Sequence, residues 1–267
     1  MAGRLAILAG AGHLPVHLAD ALLGALIVTF DGIACDITAV DVQKHRFERL
    51  GSLFDALRRA RVRQVVLAGA MTRPALDPAQ FDPVMQALAP QLARALRQGD
   101  DALLRFVIDM FEARGFSVLG AHEVVAGLTA PAGLLAGLPP DALARADIAR
   151  ARDILTALSP LDVGQGAVVS GGLCLGIETL QGTDAMLRFV AETQSMRTPG
   201  GVLVKSPKRG QDLRVDMPAI GPRTVRLAAR AGLRGVALAA DHVLLIDRPG
   251  IMSAAEETGI FLLSQAL

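Results

Sequence analysis

"LAILAGAGHLPVHLADALLGALIVTF", residues 5–30, holds three elements in a row. "LAILAG" is a short apolar run of the kind a buried strand needs, and Gly10 and Gly12 supply a tight turn after it. "LPVHLADALLGA" then reads as a helix with Pro15 in its first turn, and "ALIVTF" as a second strand. A strand, a helix and a strand in that order imply a parallel pair. The pattern continues outward through the strand-like "DITAVDV" (36–42), the helix "GSLFDALRRARV" (51–62) and the strand "QVVLAGA" (64–70). Helices follow over 83–97 and 101–114, the second with Leu103, Phe106, Val107, Met110 and Phe111 on one face, and then the strand "FSVLGA" (116–121). Alternation of this kind predicts a Rossmann-like α/β domain over residues 1–125, its mostly parallel sheet covered on both faces.

Between 126 and 140 the chain turns rich in Gly, Pro and Ala, which reads as a linker. A second α/β domain is expected over 141–267. It opens on a helix at 141–158, followed by strand-like "GAVVSG" and "GLCLGIE" and a helix at 184–194 with Thr183 as its cap. Strand "GVLVK" (201–205), a helix at 222–231 begun by Pro222 and stopped by Gly232, strands "GVALAA" and "HVLLID", a helix near 250–258 and strand "IFLLS" complete it.

The composition narrows the function. A chain of 267 residues, 52% hydrophobic, has ample material for cores. A net charge of +1 gives no broad basic face, so no nucleic-acid partner is expected. Cys35 and Cys174 have neither metal nor redox spacing and are expected to sit buried and reduced, as in a cytoplasmic protein. Met1–Arg4 leads straight into the first strand, without the features of a secretory signal. The longest uncharged run, 124–140, is broken by three glycines and three prolines and cannot span a bilayer.

Several short motifs carry chemistry. Gly10 and Gly12, between a strand and a helix, either turn backbone N–H groups toward a phosphate or simply permit a tight turn. Pro15 stands where a dinucleotide fingerprint would have its third glycine, which argues against a nicotinamide site. His13 and His17 lack the third ligand that zinc would require. "GDD" (99–101) reads as a helix cap ahead of a direct ligand contact. In "QGTDAML" (181–187), Thr183 can cap, while Asp184 suits either the first helical turn or a metal ion. "KSPKRGQDLRVDMPAIGP" (205–222) packs Lys205, Lys208, Arg209 and Arg214 around Asp212 and Asp216, and follows neither helical nor strand periodicity. Such a loop is either a solvated connector or a site where cations hold phosphate oxygens and carboxylates hold Mg²⁺ or orient water.

In order along the chain, "LAGAGHLP", "GDD", "DVGQGAVV", "GTDAML", "GVLVKSPK", "QDLRVDMPAIGP" and "AGLRG" resemble the family of LpxI-type UDP-2,3-diacylglucosamine pyrophosphatases. The resemblance implies Mg²⁺-dependent hydrolysis of the pyrophosphate of UDP-2,3-diacylglucosamine to 2,3-diacylglucosamine 1-phosphate and UMP, with water attacking the sugar-side phosphorus. It implies two domains with the substrate between them, and a cytoplasmic step of lipid A synthesis. On these residues it makes Asp216 and Lys205 the catalytic pair. Gly10, Gly12, Gln165, Thr183, Lys208, Arg214 and Met217 become substrate contacts, and Asp184, Asp212 and Asp216 the metal ligands. Two positions depart from the family pattern: Gln181 where an acidic residue is expected, and Arg209 where proline is. A homodimer and transient contact with the inner membrane are expected alongside. The alternative is a non-catalytic nucleotide-sugar or lipid-binding protein, which would hold ligand and release no UMP.

Overall fold

The computed structural model describes residues 3–38, 41–196 and 199–267. They form two compact units, Met1–Ala126 with Arg214–Asp216, and Gly127–Leu213 with Met217–Leu267.

In the first unit, strands β1 (Arg4–Ala9), β2 (Leu26–Phe30), β3 (Val42–His45), β4 (Val62–Ala68) and β5 (Ser117–Leu119) form one sheet. Its order is β3-β2-β1-β4-β5 with every neighbouring pair parallel, the order of a doubly wound α/β sheet. Helix α1 (His13–Ala21) crosses from β1 to β2, α2 (Leu50–Arg59) leads into β4, and α3 (Pro83–Gln98) and α4 (Asp100–Glu112) lie between β4 and β5. The short α5 (Ala121–Val124) follows β5. Ala6, Ile7, Leu8 and Val28 are fully buried, as strands covered on both faces must be. Leu50, Leu53, Phe54 and Leu57 recur at helical spacing and bury one side of α2. The Phe54 ring meets the edge of Phe111 at a centroid distance of 5.4 Å. Asp82 ties two helices together: one carboxylate oxygen accepts from Met85 N at the start of α3, the other from Gly51 N in α2. The expected strand over 36–42 is displaced. Regular pairing begins only at Val42, and Ala39 and Val40 lie outside the described residues.

The second unit contains β6 (Gly133–Ala136), β7 (Gly166–Ser170), β8 (Leu173–Ile177), β9 (Val202–Lys205), β10 (Ala219–Ile220), β11 (Gly235–Ala239), β12 (Leu244–Leu245) and β13 (Phe261–Gln265). Its helices are α6 (Ala142–Leu158), α7 (Gly182–Glu192), α8 (Pro222–Arg230) and α9 (Arg248–Thr258). The main sheet runs β6-β13-β11-β9-β7-β8, parallel at its centre and antiparallel toward both edges, while β10 and β12 form a short parallel ribbon. Strand alternation sorts the side chains into two cores. Val168, Leu203, Val236 and Leu238 pack with Leu187, Val225 and Ile251 of α7, α8 and α9. Ala167, Val169, Val202, Val204 and Ala237 pack instead with Ile148, Ala151 and Leu155 of α6.

The stretch expected to be a linker is part of the second unit. Leu128 is 3% exposed and Ala130 0%; their backbones bond to Leu245 and Val243, and β6 pairs antiparallel with β13. Gly137 is closely packed, a Cβ there lying 2.7 Å from the Ile260 carbonyl oxygen, and the pairing fixes the rest of the stretch in the unit. The division into 1–125 and 141–267 also needs amending, because Arg214–Asp216 clusters with the first unit. Val215 packs against the core of that unit. Cys35 and Cys174 are free as expected, but half-buried and exposed, not buried. Among the described residues, no helix is long and apolar enough to cross a membrane.

Candidate active site

Alternation along β9 decides where Lys205 points. Leu203 faces the core under α7–α9, so Lys205, two residues on, emerges on that same side at the end of the strand. It is only 3% exposed. A buried ammonium needs partners for its charge and its three N–H donors. Lys205 Nζ donates to Thr183 Oγ1 at 2.8 Å and to the Ala219 carbonyl at 3.4 Å. Glu178, just past β8, supplies the counter-charge, its Oε2 3.2 Å from Nζ. Thr183 Oγ1 in turn donates to Glu178 Oε1 at 2.7 Å, so ammonium, hydroxyl and carboxylate form a closed triangle. Oε2 contacts Nζ as an ion pair without hydrogen-bond geometry, and it makes no hydrogen bond among the described residues.

The glycines of "DVGQG" make room for this carboxylate. A Cβ on Gly166 would lie 2.5 Å from Glu178 Oε2, and one on Gly164 would lie 1.9 Å from the Glu178 carbonyl oxygen. Gly166 O also accepts the Glu178 N–H at 2.8 Å. Thr183 is therefore not the cap expected of it. Gln181 holds the N-cap position of α7, no side chain caps that end, and the Thr183 hydroxyl is engaged in the triangle. The Gly182 N–H bonds back to the Thr179 carbonyl at 3.0 Å, and the amides that follow at the α7 N-terminus have no side-chain cap.

Other predicted residues gather nearby in the second unit. Lys208 pairs with Asp162, and its backbone N–H donates to Gln211 Oε1. Ser206 N donates to the Gln165 carbonyl at 3.0 Å, and Arg209 N to Ser159 Oγ at 2.6 Å. The 205–211 loop thus lies along 159–166 and is not a free connector. Asp184, in the first turn of α7, forms an ion pair with Arg223 of α8 at 2.9 Å. Met217 and Asp212 are half-buried.

In the first unit, Arg214 pairs with Glu112 at 2.7 Å, and Asp216 is half-buried beside it in sequence. The glycine turn is largely accounted for by packing. Gly10 N donates to Ala68 O and Ala11 N to Ala70 O, both at 2.8 Å, and a Cβ on Gly10 would lie 2.5 Å from Ala70 O. The Gly10 amide is therefore not open to a ligand, whereas Gly12 is exposed at the N-cap of α1. "GDD" does not cap α4 either: Asp100 pairs with Arg73 and Asp101 with Arg105.

Among the described residues, no three His, Cys, Asp or Glu side chains gather closely enough to hold a metal ion. Asp184, Asp212 and Asp216 are therefore not a preformed metal cage. Sequence reasoning missed Glu178, Asp162 and Arg223. The one available signal for Glu178 is an acidic residue ending an apolar strand opposite "DVGQG".

The family model described as LpxI N-terminal domain matches residues 4–128, and the one described as LpxI C-terminal domain matches 131–263. The chain belongs to the LpxI family. One LpxI relative, the UDP-2,3-diacylglucosamine pyrophosphatase LpxI of Caulobacter vibrioides, is 40% identical over 273 aligned positions, covering 97% of this chain and 96% of that protein. A solved GalE-like L-threonine dehydrogenase from Cupriavidus necator, in its holo form, is 13% identical over 92% of this chain and 70% of that one. Its TM-score of 0.29 is too low to bear on the LpxI fold or chemistry.

Proposed function

We propose that this chain hydrolyses the pyrophosphate bond of UDP-2,3-diacylglucosamine, releasing UMP and 2,3-diacylglucosamine 1-phosphate for lipid A synthesis. The observation that carries this reading is the 40% identity, over nearly the full length of both chains, with an enzyme of that name. The second unit offers what a diphosphate requires. The α7 N-terminus is uncapped by side chains, with the Lys205 charge fixed at its base through Thr183, and Lys208 and Arg223 sit on the neighbouring loop and helix. Fixed dipoles and charges of this sort stabilise a transition state without having to reorganise.

In this reading Lys205 acts as a positioned charge and not as a proton donor, because its N–H groups are already directed at Thr183, Glu178 and Ala219. Asp216 orients or deprotonates the water that attacks the sugar-side phosphorus. The new P–O bond forms there as the bridging oxygen leaves with UMP. Gly12, Gln165, Arg214 and Met217 remain proposed contacts for the rest of the substrate. A cavity of about 220 Å³ inside the first unit, lined by Leu8, Phe30, Leu53, Met85 and Phe111 among others, has the apolar character an acyl chain requires.

Mg²⁺ belongs to the same proposal. The donor set suits an ion held by one or two carboxylates and completed by water and phosphate oxygens, which is how Mg²⁺ usually binds, and does not suit an all-protein cage. Asp184 and Asp212 of the second unit are the residues that would hold it, which leaves Asp216 to the attacking water. When bound, the ion would offset the charge of the diphosphate oxygens. A cytoplasmic homodimer in transient contact with the inner membrane completes the proposal. Its test is UMP release from the lipid nucleotide with Mg²⁺ present, and a protein that retains the ligand without releasing UMP is the non-catalytic alternative.

A further inference from the structure

Five arginines converge on one concavity of the first unit. Arg4, Arg58, Arg61, Arg63 and Arg114, with Phe116, line a pocket of about 770 Å³. No acidic side chain lines it. Arg58 is paired, with Asp55 at 3.1 Å. Arg4 Nε donates to the Gly24 carbonyl, and Arg114 donates to Met110 O and lies 4.6 Å over the Phe54 ring. Neither Arg61 nor Arg63 has an ion-pair or hydrogen-bond partner for its side chain among the described residues, and both are exposed. Crowding shows in Arg114, which is held below the ordinary arginine value first by burial and then by the Arg58 charge.

Two features set this pocket apart from ordinary surface arginines. The first is backbone conformation. Arg61 follows the C-cap of α2 with φ 56°, the left-handed position where helices usually place glycine. An arginine there works against the local backbone preference. The second is location. The pocket lies at the starts of β1 and β4, whereas the Gly10–Gly12 turn lies at the end of β1, roughly 20 Å of strand away. Ligands of parallel sheets bind beyond the carboxyl ends of the strands, so the pocket stands apart from the crevice where a nucleotide would sit.

We propose that this arginine pocket binds phosphate groups, either the headgroup phosphate of an anionic lipid or free phosphate. Guanidinium forks suit tetrahedral phosphate oxygens, and a concave, uncompensated cluster concentrates attraction that a net charge of +1 does not reveal. The proposal does not depend on the hydrolase reading.

Two probes on the full chain distinguish the sources. One is sedimentation with vesicles of phosphatidylcholine, with and without phosphatidylglycerol; the other is calorimetric titration with inorganic phosphate. The account predicts binding in at least one arm, weakened about fivefold or more in Arg61→Gly with Arg63→Ala and falling as salt rises. Preference for phosphatidylglycerol assigns the lipid headgroup, and phosphate binding without vesicle preference assigns the free anion. Arg61→Gly alone should keep or raise Tm, because glycine suits the left-handed position, which separates loss of binding from loss of fold. UMP release from detergent-dispersed substrate should be unchanged. Absence of binding in both arms, binding indifferent to the variants, or a fall in that UMP release overturns the proposal.

Discussion

Cations occur in two contrasting settings in this chain. In the second unit Lys205, Lys208 and Arg223 each face a carboxylate, Glu178, Asp162 and Asp184 respectively. In the first unit Arg61 and Arg63 face none among the described residues. A charge buried with its counter-ion, as Lys205 is with Glu178, holds elements in place, here the end of β9 with the chain just past β8 and the α7 N-terminus. A charge exposed in a concavity without a counter-ion leaves its electrostatic demand for a ligand to meet. The difference separates cations that build a site from cations that are one.

The proposed chemistry lies in the 205–222 stretch, and the largest expected effect is there. Asp216→Ala should lower UMP release about 10²- to 10⁴-fold while circular dichroism and Tm stay near those of the parent, since proton-transfer groups typically contribute on that scale. Near-normal turnover would remove Asp216 from the chemistry. Next comes the buried pair. Lys205→Met should cost about 3–5 kcal/mol in denaturant unfolding because it strands Glu178, and adding Glu178→Leu should restore most of that stability without restoring activity. If the single variant is as stable as the parent, the paired side of the comparison fails. Gly166→Ala, which pushes a methyl toward Glu178 Oε2, should cost about 1–3 kcal/mol.

The smallest effect tests a paired charge at the surface. Asp141 caps α6 and accepts from Arg234, and the Ala144 N–H foremost, then Arg234, holds its carboxyl below the usual aspartate value of 3.8. A lowered folded pKa contributes stability that is present above the unfolded value and lost as pH falls through the folded one. The Tm gap between parent and Asp141→Ala should therefore be open near neutral pH and close as pH drops below about 4. A gap that persists in acid would assign the stabilisation to something other than the carboxylate.

Much of the fold was legible because alternation and helix spacing are local properties. The βαβ reading of 5–30 matches β1, α1 and β2, and "GVLVK" already places Lys205 on the face of Leu203. The 126–140 stretch was misread because Gly, Ala and Pro suit an exterior connector and a closely packed edge equally well, and only the pairing of β6 with β13 decides. Glu178 was silent for a different reason. Its partner Lys205 lies 27 residues away, and one acidic residue after a strand looks like any exposed end. The arginine pocket was hidden by dispersion, since Arg4, Arg58, Arg61, Arg63 and Arg114 are spread over more than a hundred residues of a nearly neutral chain.

The central claim is hydrolysis at the diphosphate, and the most direct measurement follows both products of UDP-2,3-diacylglucosamine in ¹⁸O-labelled water with Mg²⁺ present. The account predicts equal amounts of UMP and 2,3-diacylglucosamine 1-phosphate, with the label on the sugar phosphate. Substrate bound and recovered intact, or label found on UMP, would contradict it.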